Sequence, residues 1–261
     1  MFVVIYMIID THCHLDKEDY ENVCDIINNM GNNIMIASGV DLNTNKEVIE
    51  LIKQYKNVYG TLGFHPEYAL EAKTDEWIKY MEENINNAKI VGIGEVGLDY
   101  HYPDIDKDKQ KELFKKMIAL AQKYDKTLVI HTRDAVMDTL QILKESNIKG
   151  MRVTLHCFSE SLEMAKEFIK LGCKLGVGGV VTFKNGRKLQ EVVEKLDISN
   201  FVLETDSPYL TPEPYRGTKN EPKNVRLVAE KIASIKNISV AEVMEKTSNT
   251  AIMHYNLEEF K

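Results

Sequence analysis

Two histidines sit two residues apart just after an apolar run, where Val3 to Ile9 passes through Asp10-Thr11 into His12-Cys13-His14. On a β-strand this spacing points both imidazoles to one face and turns Cys13 to the other. Two neutral imidazoles converging at a strand end suit a borderline cation such as zinc better than a hard, oxygen-seeking one. A pair of half-exposed histidines in a strand-to-helix loop would look the same, so the pair alone leaves both readings open. Further ligand-type residues, Glu95, His131, His156 and Asp206, stand at or just after the ends of later apolar runs.

Four imidazoles and two carboxylates exceed the needs of one tetrahedral site and suffice for two adjacent cations sharing one carboxylate. Two cations about 3.5–4 Å apart can acidify a shared water and hold both the attacking and the leaving oxygen, which is hydrolytic chemistry. Asp206 could ligate through one oxygen and take the water's proton through the other, a role closed to an imidazole ligand. Its structural alternative is to cap the loop before Ser207-Pro208.

For residues this far apart to converge, the chain must return to one place repeatedly. Apolar runs over Val3–Ile9, Ile34–Val40, Val58–Phe64, Ile90–Val96, Leu128–Thr132, Val153–Phe158, Lys174–Phe183 and Phe201–Thr205 read as eight strands. Between them, stretches of helical spacing run over Lys17–Met30, from a cap at Asn43 or Thr44, and over Asp75–Asn87, Ile105–Tyr124, Asp134–Glu145, a segment capped by Ser159, and Arg187–Leu196. Two more helical stretches follow near the C-terminus. This rhythm predicts an α/β fold, a TIM (β/α)8 barrel filling residues 1–261 as one domain, in which the C-terminal strand ends meet at one face. A doubly wound open sheet is the main competitor, but no Gly-rich phosphate fingerprint follows the first strand.

With 261 residues and a formal net charge of -7, the chain has no broadly basic surface for nucleic acid. A polyanionic substrate would need a local positive rim, for which Lys184, Arg187, Arg216 and Lys219 are candidates. The four cysteines, Cys13, Cys24, Cys157 and Cys173, form neither a CxxC pair nor a dense framework and read as reduced thiols, consistent with a cytoplasmic protein. The apolar start is too short to span a bilayer, so no membrane association is expected. Met7 offers an alternative start, which would make residues 1–6 an N-terminal extension.

Six motifs now carry a resemblance. His12-Cys13-His14-Leu15-Asp16, Gly63-Phe64-His65-Pro66, Gly92-Ile93-Gly94-Glu95-Val96-Gly97-Leu98-Asp99-Tyr100, His131-Thr132-Arg133, His156-Cys157-Phe158-Ser159 and Leu203-Glu204-Thr205-Asp206-Ser207-Pro208-Tyr209-Leu210, in this order, resemble the TatD family of metal-dependent deoxyribonucleases. That family lies within the amidohydrolase superfamily of TIM-barrel hydrolases. The likeness runs from about Met7 to the C-terminus. It implies that His12, His14 and Asp206 hold one ion, that His131 and His156 hold the other, and that Glu95 bridges. Superfamily relatives with a carboxylated lysine at the bridge differ here, since Lys89 precedes the strand. The implied activity is hydrolysis of DNA, as an exonuclease, with Glu95 and Asp206 catalytic. The implied cofactors are two divalent metal ions: imidazoles favour Zn, Mn or Fe, whereas the DNase activity suggests Mg.

Around this set, His65 could donate to a phosphate or a leaving oxygen, or simply brace its loop. Arg133 could clamp an anionic oxygen, with a surface salt bridge as its alternative. Tyr209, like Tyr100 and Tyr215, could stack bases or serve packing. Glu204 and Asp10 lie two residues before Asp206 and His12 and would need buried partners, the first in a ligand or Arg133. Cys13 and Cys157 read as small apolar fillers. DNA is the expected partner, with no obligate protein partner. The same chemistry would also serve a small amide, lactone or phosphoester. A non-catalytic binding protein would need neither a bridging carboxylate nor a spare base.

Overall fold

The computed structural model describes residues 7–70 and 74–257. Its eight strands are β1 (Ile9–Cys13), β2 (Ile34–Ser38), β3 (Val58–Leu62), β4 (Ile90–Asp99), β5 (Thr127–Arg133), β6 (Val153–Leu155), β7 (Lys174–Val177) and β8 (Phe201–Leu203), ordered β1 to β8 in one sheet. Helices α1 (Val23–Asn28), α2 (Leu42–Gln54), α3 (Thr74–Asn84), α4 (Lys107–Lys123), α5 (Val136–Glu145), α6 (Leu162–Lys170) and α7 (Arg187–Lys195) each follow one strand. The last strand is followed by α8 (Val225–Lys236) and α9 (Val240–His254). Sequence-ordered strands, each followed by a helix, are the (β/α)8 topology expected from the rhythm of the chain.

The residues fall into two compact units. One comprises Met1–Ile36, Cys157–Ala165 and Leu175–Lys261, the other Ala37–His156 and Lys166–Lys174. In the second, β3, β4, β5 and β6 pair in parallel, with Gly97 beside His131 and Asp99 beside Arg133. Apolar residues of α4, Phe114, Met117 and Ile118, are buried along with Ile93, Val96, Leu128 and Ile130 of the sheet. Trp77 packs its ring 5.0 Å from Phe64 and 6.0 Å from Tyr68. In the first unit β7 and β8 pair in parallel, and a bridge joins Cys13 to Ser207. Ile232, Val243 and Tyr255 of the C-terminal segment are buried there.

Several boundaries differ from the sequence expectation. The first strand was placed at Val3–Ile9; residues 1–6 lie outside the described ones, and β1 runs from Ile9 to Cys13. An apolar-run criterion stops at Asp10, but Asp10 and Thr11 are buried with partners: the Thr11 hydroxyl donates to the Leu203 carbonyl at 3.0 Å. Strand β4 continues to Asp99, so Glu95 lies inside it. Continuation through Gly97 works because φ is +141° and a side chain would collide with the His131 carbonyl. Helix α2 is capped by Asp41, whose carboxylate accepts from the Thr44 amide at 2.8 Å in a reciprocal capping box, not by Asn43 or Thr44. Ser161, rather than Ser159, accepts the Met164 amide at the head of α6. Strands β7 and β8 are shorter than the runs suggested, a 3-10 turn over Gly179–Thr182 following the former.

Candidate functional site

Two groups of ligand-type side chains are assembled, one in each unit. In the first, His12 lies on β1, His14 just beyond it and Asp206 beyond β8. Two backbone bonds hold these ends together: the Asp206 amide donates to the His12 carbonyl at 2.9 Å, and the His14 amide to the Ser207 carbonyl at 2.7 Å. The Nε2 atoms of His12 and His14 are 3.3 Å apart. They lie 3.7 and 3.5 Å from Asp206 Oδ1. Three ligands about 2.0–2.1 Å from one tetrahedral cation would stand about 3.4 Å from each other, so the spacing fits a shared ion. Asp206 has φ +54°, a left-handed conformation that Asp tolerates better than most residues.

Beneath this group, Asp10 is fully buried. Its Oδ1 accepts from the amides of His12 at 3.2 Å and Thr205 at 3.0 Å, and its Oδ2 from the Thr205 hydroxyl at 2.6 Å. Burial pushes its carboxyl up to about 7, against the bonds from Thr205 and His12. The buried partners that Asp10 needs are thus the backbone of His12 and both donors of Thr205. Glu204, also fully buried, accepts from the backbone N–H of Cys157. Cys13 is a buried filler whose Sγ lies 3.6 Å from the Ile36 carbonyl, while Cys157 is half-buried with φ +47°.

In the second group, Glu95 Oε1 lies 2.9 Å from His131 Nδ1 and 2.8 Å from His156 Nε2, and the two ring nitrogens are 3.2 Å apart. His131 is on β5 and His156 is the residue after β6, its amide donating to the Ile130 carbonyl at 3.0 Å. His65 follows β3, with Nε2 3.8 Å from Glu95 Oε1 and its ring 4.5 Å from that of His131. Burial lowers the His65 imidazole to about 4, so it is neutral near pH 7. Burial also disfavours a charged His131, but the carboxylates of Asp99 and Glu95 outweigh it and push that imidazole up to about 9. Both groups offer only nitrogen and oxygen donors, with His12, His14, Glu95 and His156 buried and His131 and Asp206 partly so, a donor set that fits a divalent metal.

Asp99, within the Gly92–Tyr100 motif, carries no signal of its own in the sequence. Its Oδ2 lies 3.1 Å from His131 Nε2. Only the extension of β4, four residues past Glu95, brings it alongside β5. Lys89 is engaged elsewhere, its ammonium donating to the carbonyls of Ile52 at 3.1 Å and Tyr55 at 2.6 Å.

The outer residues separate by environment. Tyr209 is 56% exposed, with its ring 6.1 Å from that of His14. Arg133 is exposed at the last position of β5. Tyr100 packs instead: its hydroxyl donates to Asp138 at 2.8 Å and the Lys107 ammonium stands 4.4 Å above its ring. Lys184, Arg187, Arg216 and Lys219 are all exposed, and Arg216 stacks 3.9 Å over Phe183. No helix among the described residues is long and apolar enough to cross a membrane.

Comparison with known proteins places this arrangement in context. The family described as TatD related DNase matches residues 9–256. An uncharacterized metal-dependent hydrolase of Bacillus subtilis, YabD, is 39% identical over 249 residues, covering 94% of this chain and 97% of its own length. A similarly described protein of Methanocaldococcus jannaschii, MJ1582, is 37% identical over 243 residues, covering 91% and 92%. Among solved structures, the TatD homologue YJJV of Escherichia coli superposes with a TM-score of 0.86 at 26% identity, covering 95% and 98%. An uncharacterized amidohydrolase of Saccharomyces cerevisiae, at 17% identity and TM-score 0.83 over 96% and 100%, shares the fold.

Proposed function

Since this chain belongs to the TatD-related DNase family and is a metal-dependent hydrolase, we propose that it hydrolyses phosphodiester bonds of DNA, acting from an exposed end. The observation that carries the proposal is the pair of ligand groups: His12, His14 and Asp206 spaced for one cation, and Glu95 within 2.9 Å of both His131 and His156 for another. Following the resemblance, Glu95 would be held in common by both ions and the whole chain would act as one catalytic domain. Bound divalent cations supply an acidified water and neutralise phosphate charge. Zn, Mn and Mg are the candidate ions.

The chain's own residues then have distinct tasks. Asp206 turns Oδ1 toward both imidazoles and takes the proton of the attacking water on its other oxygen. The water oxygen forms the new bond to phosphorus as the phosphodiester P–O bond breaks, and the proton taken up by Asp206 is returned to the departing oxygen. His65, held neutral by burial, donates a hydrogen bond toward that oxygen. Arg133 and Tyr209, both exposed, meet the anionic and aromatic parts of the substrate. In a net acidic protein, Lys184, Arg187, Arg216 and Lys219 supply the positive rim that draws a polyanion.

A small amide, lactone or phosphoester is the competing substrate, because the same water serves many electrophiles and fold does not fix substrate. A panel of end-labelled oligodeoxynucleotides and these small compounds, assayed with Zn-, Mn- and Mg-loaded protein, separates the two. Turnover of DNA well above every small compound is expected. Faster turnover of a small compound, with DNA left intact, would overturn the proposal.

A further inference from the structure

Asp99 occupies a constrained position behind one of the proposed ligands. It ends β4, is 4% exposed, and its backbone amide donates to the buried side chain of Gln110 on α4 at 3.0 Å. Its Oδ1 accepts from the His101 amide at 2.9 Å, while Oδ2 faces His131 Nε2 at 3.1 Å. The other ring nitrogen, Nδ1, faces Glu95 and His156 at 2.9 and 3.2 Å. An ionised carboxylate only accepts hydrogen bonds, so the nitrogen facing Asp99 carries the hydrogen. The nitrogen left to offer a lone pair is then Nδ1.

We propose that Asp99 is a positioning residue of the hydrolytic site, fixing the Nε2–H tautomer and ring orientation of His131 so that Nδ1 is the atom presented to a cation. The inference rests on reading Glu95, His131 and His156 as cation ligands. It does not depend on what the enzyme hydrolyses. Outer carboxylates of this kind orient a ligating imidazole and raise its basicity.

The backbone donor at His101 makes the substitution Asp99→Asn informative. If the amide oxygen stays with the His101 N–H, the NH2 group faces His131 Nε2 and drives the ring to the opposite tautomer. Asp99→Glu keeps an acceptor and should restore the wild-type behaviour in part.

The test is long-range 1H–15N correlation on 15N-histidine protein titrated with zinc, with chelator competition for affinity. Wild type should show His131 protonated at Nε2 and zinc-shifted at Nδ1. Asp99→Asn should bind one of two zinc equivalents about 10–100-fold less tightly than wild type and lose that tautomer, with recovery in Asp99→Glu. Zinc on Nε2 in the wild type would overturn the proposal, a result that needs no variant to fold. So would an Asp99→Asn protein with wild-type affinity and spectrum. Failure of the wild type to take up zinc, manganese or magnesium would overturn the cation-site reading itself. Zinc on Nδ1 in a protein that leaves DNA intact would keep the role of Asp99 and overturn only the substrate.

Discussion

The carboxylate of Asp10 is bonded to Thr205, 195 residues along the chain, by both the amide at 3.0 Å and the hydroxyl at 2.6 Å. It also accepts the His12 amide at 3.2 Å, so one buried group sets the backbone on either side of the His12, His14 and Asp206 cluster. Asp10→Ala strands these donors in the interior, each costing about 1–3 kcal/mol. A loss of about 3–5 kcal/mol is expected by urea denaturation, with weaker metal binding in the protein that remains folded. Asp10→Asn keeps one acceptor oxygen and should cost less. Equal stability of Asp10→Ala and wild type would contradict this role.

Gly97 has φ +141°, and a methyl group there would stand 2.0 Å from the His131 carbonyl oxygen. Backbone strain and a backbone collision act together, and overpacking alone costs about 1–3 kcal/mol. Gly97→Ala is therefore expected to lower the melting temperature and disturb the seat of His131. Gly31→Ala serves as the control, since its φ is +58° but nothing lies within 4 Å of the added carbon. The two variants melting at the same temperature would contradict the close-approach argument.

Asn220 brackets Asp206 from the far end of its loop. Its side-chain amide donates to the Thr205 carbonyl at 3.0 Å and the Tyr209 carbonyl at 2.7 Å, and it is fully buried. Asn220→Ala leaves two carbonyls without these donors, a loss of about 2–4 kcal/mol. Because those carbonyls flank the left-handed turn at Asp206, zinc affinity should fall together with stability. Thermal melts with and without zinc measure both, and zinc affinity equal to wild type in a folded Asn220→Ala protein would separate this loop from the ligand.

The four cysteines should differ sharply toward iodoacetamide. Burial raises the thiol of Cys13 well above its ordinary value and pushes Cys173 up to about 12, whereas Cys24 is exposed. At pH 8, peptide mass spectrometry should find Cys24 modified first, and Cys13 and Cys173 only after denaturation. Rapid labelling of Cys173 in the folded protein would contradict its burial.

The sequence marked out the ligand-type residues better than what surrounds them. His12, His14, Glu95, His131, His156 and Asp206 could be selected because ligand-type residues recur at or near the ends of five of the eight apolar runs, although any one histidine alone would read as structural. Strand extents were harder, because buried polar residues interrupt an apolar run without interrupting the strand, as at Asp10. Gly92, Gly94 and Gly97 likewise hid the continuation of β4. Asp99 was consequently overlooked: the role proposed for it depends on lying beside β5, a relation created by pairing and register rather than local spacing. Cap choice at Asp41 over Asn43 or Thr44 was equally invisible, since each residue type can cap a helix and only the geometry selects one.

The most direct test is metal-dependent release of label from end-labelled single- and double-stranded DNA by wild type and Glu95→Ala. Glu95 lies within 2.9 Å of both His131 and His156, so its removal takes the proposed shared carboxylate from the centre. Metal-loaded wild type should shorten the DNA progressively from one end. Folded Glu95→Ala should be slower by on the order of 10²-fold or more, the scale of losing one group that stabilises charge in the transition state. A folded, metal-loaded wild type that leaves DNA intact, or a Glu95→Ala protein that cleaves at the wild-type rate, would contradict the account.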